Sequence, residues 1–491
     1  PPCIRKLPVP TTVTLSLISH TNAGKTTLAR TLLRRDVGEV RDAAHVTVFN
    51  EAYPLIEIGG AALVLWDTPG FGDSARLLQR LRRVDRPLAW FFSQIWDRFT
   101  DKPLWCSQQA LRNVREDADV VLYLVNASES LAGGTFVEHE MEILDWLGKP
   151  VVVLLNQTGA PRPAEEGAAE EELWRNHLTK FAIVRSVINM DAFSRCWVQE
   201  GELMETISGV LAGEKREVFE KLSDAWAERN EEIFVRSMRT LAHQLTANAL
   251  DGIAVKSESF LQKLGFNRSA LEADWSEARQ KLSESLAMRA EQAMNELIVL
   301  HSLEGHDESA TLLGARRDFA EPKQVEAAVW SAVSGIASGA LAGLIVDLKA
   351  GGLTFGGGAL LGGISGGLGA YALIKTYHLV RADDNKLHWS REHFQEQVKL
   401  ALLSYLAVSH FGRGRGAWKR DLRPAHWQQM VNELVDEWKD KVEFVWKRSL
   451  RSDVSVSRVN EEMLIMMTDL GREILRRLYP VSPSPDVQIS E

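Results

Sequence analysis

Cysteine is nearly absent from the chain, which has only Cys3, Cys106 and Cys196 in 491 residues. An odd count without metal-ligand spacing excludes a disulfide framework and a thiolate metal centre, and it suits a reducing compartment. An excess of positive charge is missing too. The 57 Lys and Arg face 66 Asp and Glu, for a formal net charge of −9, which argues against a nucleic-acid clamp. No internal repeat of solenoid period occurs. The opening "PPCIRKLPVP" is too proline-rich, and its apolar run too short, to be expected to act as a signal peptide. What remains is an ordinary globular composition, 45% hydrophobic and 25% charged. The length corresponds to roughly two to four domains.

Residues 13 to about 212 alternate short apolar runs with helical patterns. "VTLSLI" (13–18), "ALVLW" (62–66), "VVLYLV" (120–125) and "VVVLL" (151–155) read as buried strands bounded by turn or polar residues. Helical stretches at Lys25–Arg35 and Phe136–Leu147 lie between some of them, so the expected fold is α/β with a mostly parallel sheet. "PLIEIGGAALVLW" (54–66) joins two runs through Gly59-Gly60, which predicts a β-hairpin and one antiparallel edge strand. From 213 to 479 the expectation is an all-α domain, with amphipathic helices such as 216–245 and a second helical block over 387–478 broken near 411–427. The Pro/Ser-rich tail 480–491 is expected to be disordered.

"SHTNAGKTTL" (19–28) follows the first strand and opens a helix, the context of a phosphate-binding loop. Backbone N–H groups along Asn22, Ala23, Gly24, Lys25, Thr26 and Thr27 can wrap phosphates at the positive end of the helix. Lys25 would reach the β/γ-phosphates and the Thr26 hydroxyl would ligate Mg²⁺. Ser19 stands where the pattern begins with glycine, and a serine there is expected to strain the loop without abolishing it. "LVLWDTPG" places Asp67 at a strand end, where it can hold Mg²⁺ through water, and Gly70, whose N–H can sense a γ-phosphate.

"TNAGKTTL" and "WDTPG" resemble the small bacterial GTPases of the TrmE–Era group, over residues 13 to about 200. The resemblance implies a P-loop G domain that hydrolyses GTP with Mg²⁺. It implies that Asn22 matches the asparagine which, in potassium-dependent members, helps to coordinate K⁺ in place of an arginine finger. Thr47, in "HVTVF", is the candidate for the switch I threonine, a ligand of Mg²⁺ and a catalytic residue beside Lys25; a plain strand threonine is the competing reading. Phe71 stands where a catalytic glutamine sits in Ras-like enzymes and cannot orient water, a substitution the family tolerates. The ordered motifs also resemble uncharacterised bacterial GTPases that carry a C-terminal helical domain of unknown function.

The family reads guanine with N-K-x-D after a strand. Here the stretch is Asn156-Gln157-Thr158-Gly159. Asn156 fits, Gln157 lacks the lysine charge, and Gly159 has no carboxylate, so guanine selectivity is expected to be weak. In "SVINMDAF" (186–193), Asp191 and Ala192 are expected near the base, and Asp191 is a candidate for the missing acid.

Between Gly70 and Val120 lie a basic helix (75–86) and the aromatic run "PLAWFFSQIWDRF" (87–99). Trp90, Phe91, Phe92, Trp96 and Phe99 fit either a packed helix face or a partner- or membrane-facing one. Farther on, residues 327–346 carry no charge over twenty positions and 350–374 none over twenty-five. Small residues recur every fourth position in both, as suits two closely packed helices. The pair reads either as a helical hairpin inserted in a membrane or as a buried hairpin in a soluble helical domain. The layout is similar in outline to bacterial dynamin-like proteins. The expectation is a cytoplasmic GTPase switch associated with the inner membrane through 327–374, with GTP, a membrane or membrane protein, and a second copy of the chain as partners, and no nucleic acid. Its rivals are a non-hydrolysing nucleotide sensor and a soluble ribosome- or RNA-associated GTPase.

Overall fold

The structure is a computed structural model and describes residues 11–37, 50–93, 101–128, 135–159, 161–254, 268–303, 379–381, 386–412 and 424–480. Thr47, the glycine-rich stretch 327–374, Trp96, Phe99 and the tail from 481 lie outside them.

The apolar runs form the expected sheet. Strands β1 (Thr11–Ser19), β2 (Glu51–Ile58), β3 (Ala61–Asp67), β4 (Val120–Asn126), β5 (Val151–Asn156) and β6 (Val184–Asn189) stand in the order β2-β3-β1-β4-β5-β6. All neighbours are parallel except β2 and β3. That hairpin turns at Gly59 (φ 56°) and Gly60 (φ 82°), two positive-φ positions that glycine meets at no steric cost. β1, β4 and β5 are central, and Val13, Leu15, Leu17, Val120, Leu122, Val152 and Leu154 are fully or almost fully buried. Strand β6 carries no clear strand signature, because "VRSVIN" mixes polar residues into a short edge strand of which only Val187 and Ile188 are buried.

Helix α1 (Lys25–Leu33) follows β1 directly. Between β3 and β4 come α2 (Ser74–Leu81), α3 (Pro87–Ser93) and α4 (Lys102–Glu116). Phe91 is fully buried in the core beneath the sheet, and Trp90 and Phe92 pack against that core. The Arg115 guanidinium lies 3.8 Å over the Phe92 ring. For these three aromatics the packed-face reading holds. Helices α5 (Thr135–Asp145), α6 (Ala164–Leu178) and α7 (Trp197–Val210) complete the alternation.

A single helix, α8 (Gly213–Leu250), then runs for 38 residues. Its first part belongs to the sheet's own core, where Phe219, Leu222 and Trp226 pack in one cluster with β1, β3 and α7 residues. Trp226 Nε1 donates to Glu200 Oε2 at 2.8 Å, Asn230 Nδ2 donates to the same oxygen at 3.2 Å, and Arg195 pairs with that buried carboxylate. One compact unit accordingly extends to Glu232, past the expected boundary at 212, and it takes in 410–412 and 478–480 as well.

The other unit holds the rest of the described chain. It is mainly helical: the remainder of α8, then α9 (Arg268–Leu300), α10 (Arg391–Ser409), α11 (Ala425–Glu437), α12 (Lys439–Ser449) and most of α13 (Val456–Leu478). It also holds a small antiparallel sheet, unexpected from the sequence, of β7 (Gly252–Ala254), β9 (Lys386–Trp389) and β8 (Leu379–Arg381) in the order β7-β9-β8. Among the described residues, no helix is long and apolar enough to cross a membrane.

Candidate nucleotide-binding site

The site is built where β1 and β3 end side by side. Their parallel register pairs Leu17 with Asp67, so the loop after β1 and the turn after β3 emerge together. The chain turns through Asn22 (φ 68°) and Gly24 (φ 91°) into α1. A β-carbon on Gly24 would lie 2.7 Å from Asn156 Nδ2, so glycine is required there on two counts.

Lys25 and Thr26 open α1, and both are buried. The Lys25 ammonium donates to Ser19 Oγ at 2.8 Å. Burial lowers its pKa, while the charges of Asp67 and Glu140 pull the other way. Thr26 Oγ1 donates to Asp67 Oδ2 at 2.5 Å. Asp67 is fully buried, and burial pushes its carboxyl up to about 6 against the Thr26 hydrogen bond and the Lys25 charge. Its second oxygen, Oδ1, is buried without a hydrogen-bond partner. A buried carboxylate oxygen with no donor is costly. A hard divalent cation with oxygen ligands would satisfy it, so the donor set fits Mg²⁺ held by Thr26 and Asp67.

The turn after β3 lies against the P-loop. Phe71 N–H donates to the Ser19 carbonyl at 2.8 Å, and a β-carbon on Gly70 would sit 3.0 Å from Thr21 Cα and 3.1 Å from Lys25 Nζ. Phe71 itself is fully buried among the apolar residues beneath the sheet, turned into the core.

At the far end of the loop, Asn156 joins three segments. Its Nδ2 donates to the Ala23 carbonyl at 2.7 Å and its Oδ1 accepts from Ala192 N–H at 2.8 Å. Gln157, with φ of 59°, reaches from its Nε2 to the Asn22 carbonyl at 3.4 Å. Asp191 Oδ2 accepts from Thr158 N–H at 2.9 Å and Thr158 Oγ1 at 3.0 Å, and Oδ1 accepts from Phe193 N–H at 2.7 Å. This carboxylate ties the β5 and β6 loops together. Gly159 sits at φ 93°, and a β-carbon added there would meet nothing within 4 Å.

These loops are those of a P-loop G domain, and residues 14–157 match the family model described as 50S ribosome-binding GTPase. Residues 175–465, more than half of the chain, match the family model described as Domain of unknown function (DUF3482). The chain belongs to the DUF3482 family. Its N-terminal part is a P-loop GTPase domain in front of the DUF3482 region.

Solved structures similar to this DUF3482 chain include a variant of Era from Aquifex aeolicus bound to GDP·AlF4⁻, with 19% identity and a TM-score of 0.29, covering 41% of this chain and 58% of that one. Another is Era in complex with MgGDPNP and a stretch of 16S ribosomal RNA, with 20% identity and a TM-score of 0.30, over the same shares of the two chains. The cytosolic domain of the T. maritima FeoB iron transporter in a GDP form is 15% identical with a TM-score of 0.24, covering 41% of this chain and 65% of that one. The DUF3482 chain thus spans about three-fifths of the Era chains it matches. None of the curated proteins matches it.

The fold brings together Asn22, Ala23, Gly24, Lys25, Thr26, Asp67, Gly70, Asn156, Gln157, Asp191 and Ala192, with Thr27 in the first turn of α1. One expectation is corrected. Ser19 does not strain the loop: it is the last residue of β1 and is not among the described residues with positive φ, so no glycine is needed there.

Two groups went unnoticed in the sequence. Glu140 is fully buried, accepting from Tyr123 OH at 2.6 Å, and its Oε1 lies 2.8 Å from His20 Nδ1. A glutamate in register with Val137, Met141 and Leu144 on the buried face of an amphipathic helix was the available signal. Gly412 comes from far along the chain to the β6 loop, where its N–H donates to the Phe193 carbonyl at 3.3 Å. A β-carbon there would lie 2.1 Å from the Ala192 carbonyl oxygen, and nothing local in "FGRGRG" announces that approach.

Proposed function

We propose that the chain is a GTP-hydrolysing molecular switch whose G domain drives a helical domain in contact with a membrane. The observation that carries the nucleotide part is the Lys25–Thr26–Asp67 constellation, above all the buried, unpartnered Asp67 Oδ1. Lys25 meets the β/γ-phosphates, and the N–H groups from Asn22 to Thr27 line the phosphate chain. Thr26 and Asp67 hold Mg²⁺, which neutralises charge on the phosphates when bound. Gly70, where a β-carbon would crowd Thr21 and Lys25, would report a γ-phosphate through its N–H.

With Phe71 in the core, the attacking water has to be oriented by something other than this side chain. Thr47 of switch I and a K⁺ ion beside Asn22 are the proposed contributors, both on the strength of the motif match. The base lies at the loops joined by Asn156, Gln157, Asp191 and Ala192. Membrane contact through 327–374 is supported by its two uncharged, small-residue-patterned runs.

The nucleotide that co-purifies with the full chain, identified by chromatography, tests the ligand; GTP or GDP is expected. Lys25→Ala should abolish tight binding in calorimetry, and unchanged affinity would overturn the site. The intact chain should float with liposomes and a chain lacking 327–374 should not. Failure of the intact chain to float would refute membrane contact alone.

A further inference from the structure

The glycine that ordinarily opens a phosphate loop is replaced by Ser19, whose side chain is fully buried against the loop's own lysine. Lys25 Nζ donates to Ser19 Oγ at 2.8 Å. The hydroxyl's own proton goes to the His20 carbonyl at 2.5 Å, which leaves its lone pairs for the ammonium. The Ser19 carbonyl is engaged elsewhere, accepting from Phe71 N–H. The side chain therefore does something the backbone at this position is not doing.

We infer that Ser19 is a positioning residue, whose hydroxyl holds the Lys25 ammonium in place at the mouth of the phosphate loop. An ammonium has three donors. One fixed on Ser19 leaves two for phosphate oxygens, on a side chain whose flexible stem is already ordered before the nucleotide arrives. The loop thus depends on a serine where its sequence pattern calls for glycine, and restoring the glycine impairs it. The inference rests on the proposed reading that Lys25 binds the nucleotide's phosphates.

The test uses the full chain with Ser19→Gly, Ser19→Ala and Ser19→Thr, titrated with GDP and a non-hydrolysable GTP analogue in Mg²⁺. The melting temperature of the nucleotide-free protein is measured alongside. Removing a hydrogen bond to a charged group should weaken binding of both nucleotides roughly tenfold in Ser19→Gly and Ser19→Ala. Ser19→Thr, which keeps the hydroxyl, should stay within about threefold of wild type, since its charged hydrogen bond survives. A purely structural serine would lower the melting temperature without this pattern of loss and rescue. Wild-type or tighter binding by Ser19→Gly overturns the inference. If the glycine or alanine variant does not fold, Ser19→Cys, close in shape but a weak acceptor, should show the same loss, and wild-type affinity in it overturns the inference equally. Lys25→Ala separates the two levels. If it binds normally, the phosphate-site reading itself fails; if it loses binding while the Ser19 variants do not, only the positioning role falls.

Discussion

Thr26 Oγ1 donates to Asp67 Oδ2 at 2.5 Å, bridging the start of α1 and the end of β3. Two oxygens that would share a divalent cation share a proton instead, and the carboxylate's other oxygen is buried without a donor. Thr26→Ala should therefore weaken nucleotide binding in Mg²⁺ by about tenfold or more, as loss of a bond to a charged group implies. In chelator the loss should be much smaller. Calorimetry in the two buffers decides, and equal losses would contradict a metal-ligand role.

Asn156 spans the Ala23 carbonyl and the Ala192 N–H, both deep in the structure. Asn156→Ala leaves a buried acceptor and a buried donor unpaired, which costs about 2–6 kcal/mol in total. Urea unfolding of the nucleotide-free protein should show that loss, and nucleotide affinity should fall with it because the P-loop and the base-side loop are no longer tied.

Asn22 stands in the P-loop at φ 68°, and Phe71 is turned into the core. If K⁺ beside Asn22 supplies the charge that a glutamine or arginine supplies elsewhere, GTP turnover should be faster in potassium than in sodium. Asn22→Ala should erase the difference and largely spare affinity. Identical wild-type rates in the two salts would end the idea.

Base selectivity should be looser than N-K-x-D confers, since Gly159 has no carboxylate and Asp191 already accepts from Thr158 and Phe193. Competition of GTP, ITP, XTP and ATP for one labelled nucleotide measures it. A preference for GTP over ITP on the order of a hundredfold or more would mean that a group here reads the 2-amino substituent.

His393 is almost wholly buried, its ring stacked on Trp389 with centroids 4.0 Å apart. Burial drives its pKa down from the usual 6.5 to about 3. Between those values the native state binds fewer protons than the unfolded chain, so stability is full above pH 6.5 and falls as pH drops towards 3. The slope is up to about 1.4 kcal/mol per pH unit from this group. His393→Phe keeps the stack and should flatten the acid limb of stability measured by urea unfolding between pH 7 and 4.5. An unchanged slope would assign the acid sensitivity to other groups.

The sheet, its hairpin and the phosphate loop were legible because each has a short-range signature: Val/Leu runs, Gly59-Gly60, and Gly24-Lys25-Thr26 after a strand. What stayed hidden depends on distance along the chain. β7 and β9 are three- and four-residue strands that pair across well over a hundred positions, too short to carry a period. The pairing of Trp226 and Asn230 with Glu200, which draws the start of α8 into the sheet's core, is a tertiary choice with no local cue. Ser19 shows the converse limit. A motif records which residue is usual, and only the backbone shows whether its dihedral freedom is used.

The approach of Gly412 to the Ala192 and Phe193 carbonyls bears on how the protein is made. A ribosome that has finished residue 232 must add roughly 180 more before Gly412 exists. At about 5–20 residues per second that is a delay of about 10–35 s. Throughout it, the nascent G domain has every strand of its sheet but lacks the segment that packs on its base-side loop. Nucleotide affinity should therefore mature in two stages on the ribosome, and the second stage waits for the segment that carries Gly412.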